Sequence, residues 1–200
     1  MEAAVRSQRP PSFDELYQAI LALPEGITGE IVEDGGIEAM SRPGRLHAAV
    51  HKRVLKALGP VDDERTGGWV IELEREVRLL GSRLLVPDLS GWRVTEEGTG
   101  FLDLNPIVQV PDWACEILSD TTHRKDRLKK LPLYAEAGVG HIWIVDPDRH
   151  SIEVYVPRGG VPAMITTAAD ADVVRLPPFD LELDLATLWL PRPKAGRGGR

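Results

Sequence analysis

The 200-residue sequence has a single cysteine, Cys115, so no disulfide can form within the chain. Such usage is expected of a protein in a reducing cytoplasm. No apolar run approaches the roughly 20 residues that span a bilayer, and the opening MEAAVRSQRPP (residues 1–11) lacks the apolar stretch of a signal peptide. No membrane association is therefore expected. An excess of positive charge is also missing: 24 Lys and Arg stand against 31 Asp and Glu, for a net charge of -7. Proteins that coat nucleic acid non-specifically are usually basic. Any nucleic-acid contact must use a local patch, either residues 123–130 or the tail 191–200. There is no G-x-x-x-x-G-K-[ST] or G-x-G-x-x-G phosphate loop and no G-x-S-x-G serine elbow.

What is present suffices for one domain with a core, since 42% of the residues are hydrophobic. We expect a single domain over 12–190, with flexible tails at 1–11 and 191–200. Ser12 and Glu15 have capping-box spacing, and Leu16, Ile20 and Leu23 continue as a helical stripe. Residues 29–40 read as a hairpin about Gly35-Gly36. A helix of about 14 residues follows; it starts at Ser41 or Pro43 and carries Leu46, Val50, Val54 and Leu58. Alternation over 69–80 predicts one half-solvated strand, turned by Gly81-Ser82 into 83–88. Residues 113–118 and 141–146 read as buried strands joined by a helix over 121–137, in which Pro132 must kink the helix or start it afresh. Residues 151–156 form another strand, and 171–190 add one more with a short helix. The order predicts an α/β fold with a mixed sheet and a parallel crossover from 112 to 146.

Two carboxylates stand out because each sits in an apolar run, where an unpaired charge is costly. They are Asp88 in LLVPDLS (residues 84–90) and Glu116 in WACEIL (residues 113–118). The lysine-bearing HRKDRLKK (residues 123–130) follows. Paired carboxylates suit a hard divalent cation, and a nearby lysine suits phosphate chemistry. Lys130 could reach back to the acids, and the Ile117 carbonyl could add a ligand. Each residue also has a plainer role. Asp88 and Asp112 both follow proline and could be turn or strand-start aspartates. Lys130 could pair with Asp126 at i,i+4, Lys129 reads as solvated, and Arg124, Lys125 and Arg127 as general field. His47 and His51 have zinc spacing but no third ligand in sight; His47 could instead face the acids. Cys115, on the strand face opposite Glu116, reads as buried and inert.

These residues resemble the PD-(D/E)XK nuclease motif, as Pro87-Asp88 followed by Glu116-Ile117-Leu118. More specifically, residues 111–147 resemble the Uma-two family of restriction-endonuclease-like proteins, through Asp126, Lys130-Leu131, Tyr134, Gly138-Val139 and IWIVDP (residues 142–147). GEIVEDG (residues 29–35) matches that family's early glutamate-bearing strand. The resemblance implies a restriction-endonuclease-like core, a mixed central sheet flanked by helices. It implies Asp88 and Glu116 as ligands of Mg2+ (or Mn2+), with Ile117 lending its carbonyl. Leu118 stands where the general motif has lysine, so the resemblance points to Lys130 as the third catalytic residue, with Glu30 as an accessory acid. The expected activity is DNA phosphodiester hydrolysis by a homodimer, since two symmetric sites cut a duplex most simply. A non-catalytic binding module on the same fold is the alternative.

Overall fold

The computed structural model describes residues 9–40, 44–63, 68–119 and 123–191. Helix α1 (Phe13–Leu21) opens on the expected capping box: Ser12 Oγ accepts the Glu15 N–H, and the Glu15 carboxylate accepts the Ser12 N–H. Strands β1 (Thr28–Glu30) and β2 (Glu38–Met40) form the expected hairpin. Helix α2 (Arg45–Leu58) buries His47, Val50, His51, Val54 and Leu58 along one face. Gly44 caps it, while the anticipated starts at Ser41 and Pro43 lie outside the described residues.

The single strand expected over 69–80 is two. Strand β3 (Trp69–Leu73) edges the main sheet, whereas β4 (Val77–Leu79) pairs with β5 (Arg83–Leu85) in a small separate sheet. Alternation fails in β3 because Trp69, Val70 and Ile71 are all buried and Leu73 is exposed. The chain leaves the sheet at Glu74, whose φ of 49° is left-handed. The Glu74 N–H then donates to the Asp88 carbonyl at 3.1 Å.

The expected strand 83–88 also divides, and Asp88 is not inside it. Residues 86–88 carry the chain from the small sheet to β6 (Leu89–Arg93), a central strand that sequence reading left out. The six-stranded sheet has the order β10-β9-β8-β7-β6-β3, with β7 (Trp113–Ile117), β8 (His141–Asp146), β9 (Ser151–Arg158) and β10 (Val161–Ala169). Only β7 and β8 run parallel, as the crossover expectation required; every other neighbouring pair is antiparallel. Strand β10 was also unread. The hairpin β11 (Val173–Arg175) and β12 (Glu182–Asp184) closes the chain.

Each sheet face has its own core. On one, Trp113, Trp143 and Phe179 pack edge-to-face with ring centroids 5.0–5.5 Å apart, and α2 and the carboxy-terminal segment cover them. The other carries Trp92, Ala114, Leu118, Ile142 and Ile144 under Leu131, Tyr134 and Ala135. Glu116 shares this second face with Ala114 and Leu118, because alternate residues of a strand point the same way. Gly91 lies close beneath the core that holds Trp113: a Cβ there would sit 3.2 Å from that ring, which would have to shift to admit it.

The crossover helix is interrupted. After α3 (His123–Lys125) comes one π turn, Asp126–Lys130, whose following N–H at Leu131 reaches the Asp126 carbonyl, and then α4 (Leu131–Ala137). Pro132 has no N–H for an i→i−4 bond and crowds the carbonyl four residues before it. The widened turn meets that demand, so Pro132 begins a fresh helical run. Gly138 ends α4 at φ 84°, the left-handed C-terminal position glycine favours.

Candidate active site

The site forms where the small sheet hands the chain to the large one. In the β6–β7 ladder Leu89 faces Cys115. The ladder ends there; continued two residues in the same register, it would set Ile117 against Pro87. A residue in a strand directs its N–H and carbonyl to the same edge, and proline has no N–H to offer. The Ile117 N–H instead donates to Asp88 Oδ2 at 2.6 Å, and the ladder leaves the Ile117 carbonyl without a Pro87 donor. Asp88 Oδ1 lies 3.0 Å from His47 Nε2, which α2 brings in. His47 therefore faces the acids. Asp88 is half-buried, at the end of its segment rather than within a strand.

Glu116 is 2% exposed. Its Oε1 accepts from Lys130 Nζ at 2.6 Å and from the Tyr134 hydroxyl at 2.5 Å. Lys130, 1% exposed, also meets Glu30 Oε1 at 2.9 Å and the Val86 carbonyl at 3.1 Å. An ammonium has three N–H donors, and here each faces an acceptor. Glu30, on β1 and fully buried, takes the Val86 N–H at 2.8 Å on Oε1 and Lys125 Nζ at 2.6 Å on Oε2. One carboxylate thus ties the hairpin, the strand crossing and the π-turned helix together.

The charges explain one another. Burial alone would raise the Glu30 pKa, but the Lys130 and Lys125 ammonium groups overcome it and hold Glu30 below its ordinary 4.5. Burial would lower Lys130, yet Glu116 and Glu30 keep it well above its ordinary value. Burial pushes Glu116 well above 4.5 against the pull of Lys130, and Asp126, Asp88 and Glu30 add to the push. Lys130 keeps its proton because two acids face it, while Glu116 shares that lysine with Glu30. For His47, burial is outweighed by the hydrogen bond and charge of Asp88, and its pKa rises.

All five expected site residues come together here. Asp88, Glu116, Lys130 and His47 line one cleft of about 960 Å³, with Glu30 buried behind its lysines. Several expectations for their neighbours change. Lys125 is a cleft residue bound to Glu30, not a distant source of field. Lys129 keeps the solvated position expected of it but is ion-paired with Glu38 and Glu33 at 2.6 and 3.0 Å. Arg127 is held by Glu153 at 2.5 Å. Lys130 pairs with Glu30 and Glu116 instead of Asp126. Asp112 is structural: its Oδ2 accepts the Arg93 N–H at 2.8 Å and its carbonyl the His141 N–H. Cys115 is buried, and burial raises its thiol pKa. His51 stacks edge-on to His47 at 6.0 Å, and among the described residues no three His, Cys, Asp or Glu side chains are grouped to hold a metal.

The donor set suits a hard divalent cation. Mg2+ commonly takes one or two carboxylates and completes its octahedron with waters. Asp88 and Glu116 supply such oxygens at adjoining strand ends, and among the described residues the Glu116 hydrogen bonds fall on Oε1. A cation would take the place of the proton that burial, and after it the neighbouring acids, favour on Glu116.

The family model described as "Uma2: Putative restriction endonuclease" matches residues 13–187. The chain belongs to the Uma2 family. The crystal structure of a putative nuclease of DUF820 from Anabaena variabilis superposes with a TM-score of 0.68 at 24% identity, covering 90% of this chain and 97% of that one. The likeness extends the shared fold over nearly the whole of this Uma2 protein. No curated protein matches the chain.

Sequence reasoning missed Lys125 and the part played by Glu74. Which lysine of HRKDRLKK turns inward depends on helix phase, and the π turn shifts that phase by a residue. Pro132 was the available signal.

Proposed function

We propose that this Uma2 protein is an Mg2+-dependent (or Mn2+-dependent) endonuclease that hydrolyses DNA phosphodiester bonds. The observation that carries this is the convergence of Asp88, Glu116 and Lys130 on one cleft, beside the strand edge that bears the Ile117 carbonyl. Asp88, Glu116 and that carbonyl would hold the ion, which when bound supplies an activated water and offsets charge on the phosphate. Lys130 would exchange one of its three acceptors for a phosphate oxygen and stabilise the charge that develops there. Glu30 positions Lys130, and His47 positions Asp88. A reducing cytoplasm suits the single cysteine. A homodimer would present two such sites to a duplex, and a monomeric mass by light scattering would remove that element. Among the described residues, no helix is long and apolar enough to cross a membrane.

The net charge of -7 and the fully occupied Lys130 favour a second possibility, a non-catalytic module on the same fold. Plasmid nicking separates the two. The endonuclease nicks in Mg2+ and stops in chelator, and Asp88→Asn abolishes nicking while circular dichroism stays native. Equal nicking by both proteins, or none by either across supercoiled, linear and single-stranded DNA, would leave the non-catalytic module.

A further inference from the structure

Most cations around the cleft are neutralised. Lys125, Arg127, Lys129 and Lys130 each meet a carboxylate within 3 Å. Helix α2 is different. Its sequence, RLHAAVHKRVLKAL, contains no acid in a chain that is acidic overall. Its buried face is filled by His47, Val50, His51, Val54 and Leu58. Arg45, Ala48, Lys52 and Lys56 are exposed, and their spacing of three to four residues makes one stripe along the helix. Among the described residues, no carboxylate lies within ion-pair distance of Arg45, Lys52 or Lys56. Arg45 also stands in the cleft wall beside His47. A second hollow of about 330 Å³ shares Leu118, Ser119 and Asp148 with the cleft, and its wall carries Arg124, exposed and likewise without a carboxylate.

We propose that the exposed stripe Arg45–Lys52–Lys56 of α2 is a docking track for the phosphate backbone of a nucleic-acid duplex, leading it into the cleft. The proposal rests on the nuclease function above and specifies the surface by which the substrate arrives. The eleven residue steps from Arg45 to Lys56 extend about 16 Å at roughly 1.5 Å each, alongside which a duplex carries roughly ten phosphate charges. The stripe has only charge and one small residue, alanine. It offers nothing that reads base edges, so it positions the duplex without choosing its sequence. It also accounts for how a chain of net charge -7 can approach a polyanion. Six acids line the cleft, where a cation can offset them, and Arg45, Lys52 and Lys56 stand on the helix that forms part of its wall.

The test is binding of a short DNA duplex by fluorescence anisotropy, over a range of salt and with Ca2+ replacing Mg2+ so that nothing is cut. Each phosphate neutralised contributes about 0.9 to the slope of log affinity against log salt. Lys52→Gln with Lys56→Gln should therefore flatten the slope by about 2 and weaken binding about tenfold or more at low salt. Lys52→Arg with Lys56→Arg should keep the wild-type slope. Arg158→Gln with Arg175→Gln, which removes as much charge from the β9–β10 and β11–β12 hairpins, should change the slope little. The track is overturned if the α2 glutamine variant keeps the wild-type slope, or if the control pair flattens it equally. Either result, with wild-type nicking intact, overturns the track alone. Failure of the wild-type protein to bind or nick any duplex would overturn the nuclease function together with it.

Discussion

At Glu30 a fully buried carboxylate is stabilised by two lysines and a backbone N–H, and removing it leaves two ammonium groups short of a partner. Breaking a buried pair from one side costs about 3–5 kcal/mol, so Glu30→Ala should lower unfolding stability in urea by that order. Lys125→Met, which leaves Glu30 with Lys130 and Val86, should cost clearly less. Equal losses would mean that Lys125 carries the hub. His141 contributes differently. Burial, with Arg93 nearby, holds its pKa below the ordinary 6.5. The unfolded chain therefore binds this proton more readily. The stability His141 contributes is complete above pH 6.5 and is lost as the pH falls below it. His141→Gln should flatten the acid side of a stability–pH curve below pH 6.5; an unchanged slope there would contradict the assignment. Of the residues at the site, Asp88 and Glu116 were legible because acids in apolar runs need a reason to be there. Glu30 took its role from the family pattern, which also singled out Lys130 among the lysines, whereas His47 was one of two readings of a helical histidine. Lys125 was not legible, because its inward turn follows from a helical irregularity that no spacing rule contains.

Among the elements, the long, strongly patterned ones were legible: α1 with its capping box, α2, and the β7–helix–β8 crossover. Those that escaped notice depart from the usual strand composition. β6 contains Ser90 and Gly91, the latter close against the Trp113 ring, and β10 mixes Pro162 with alanines and threonines. The break between β3 and β4 was hidden because the period-2 pattern runs straight through Glu74, whose left-handed backbone turns the chain toward Asp88. The entrance to β8 is equally tight. A Cβ on Gly140 would sit 2.9 Å from the Asp112 carbonyl oxygen, which itself accepts the His141 N–H. Gly140→Ala should push β8 away from β7 and destabilise the fold by roughly 1–3 kcal/mol, read as a lower denaturation midpoint. An unchanged midpoint would show that the β7–β8 junction can yield.

Over the whole molecule, the sheet depends on its carboxy-terminal cover. Phe179 sits against Trp69, Trp113 and Trp143, with ring centroids within 5.5 Å of each, and the Trp143 indole N–H is held by the Pro177 carbonyl at 2.6 Å. Arg53 of α2 donates to the Trp189 carbonyl and so fastens the end of the segment. Phe179→Ala should cost about 3–5 kcal/mol, seen by chemical denaturation together with a change in tryptophan fluorescence. A loss under 1 kcal/mol would mean that the segment only rests on the sheet. The amino-terminal layer has a much smaller apolar footing, centred on Leu16, Ile20, Ile31 and Leu84. Its deepest tie to the rest is the Glu30 carboxylate between two lysines of the crossover helix. An acid of the cleft is thus also the rivet of the layer beside it. A chain whose first forty residues had not docked could keep its six-stranded sheet and still lack a finished site, which makes the cleft a late checkpoint on the integrity of the whole protein.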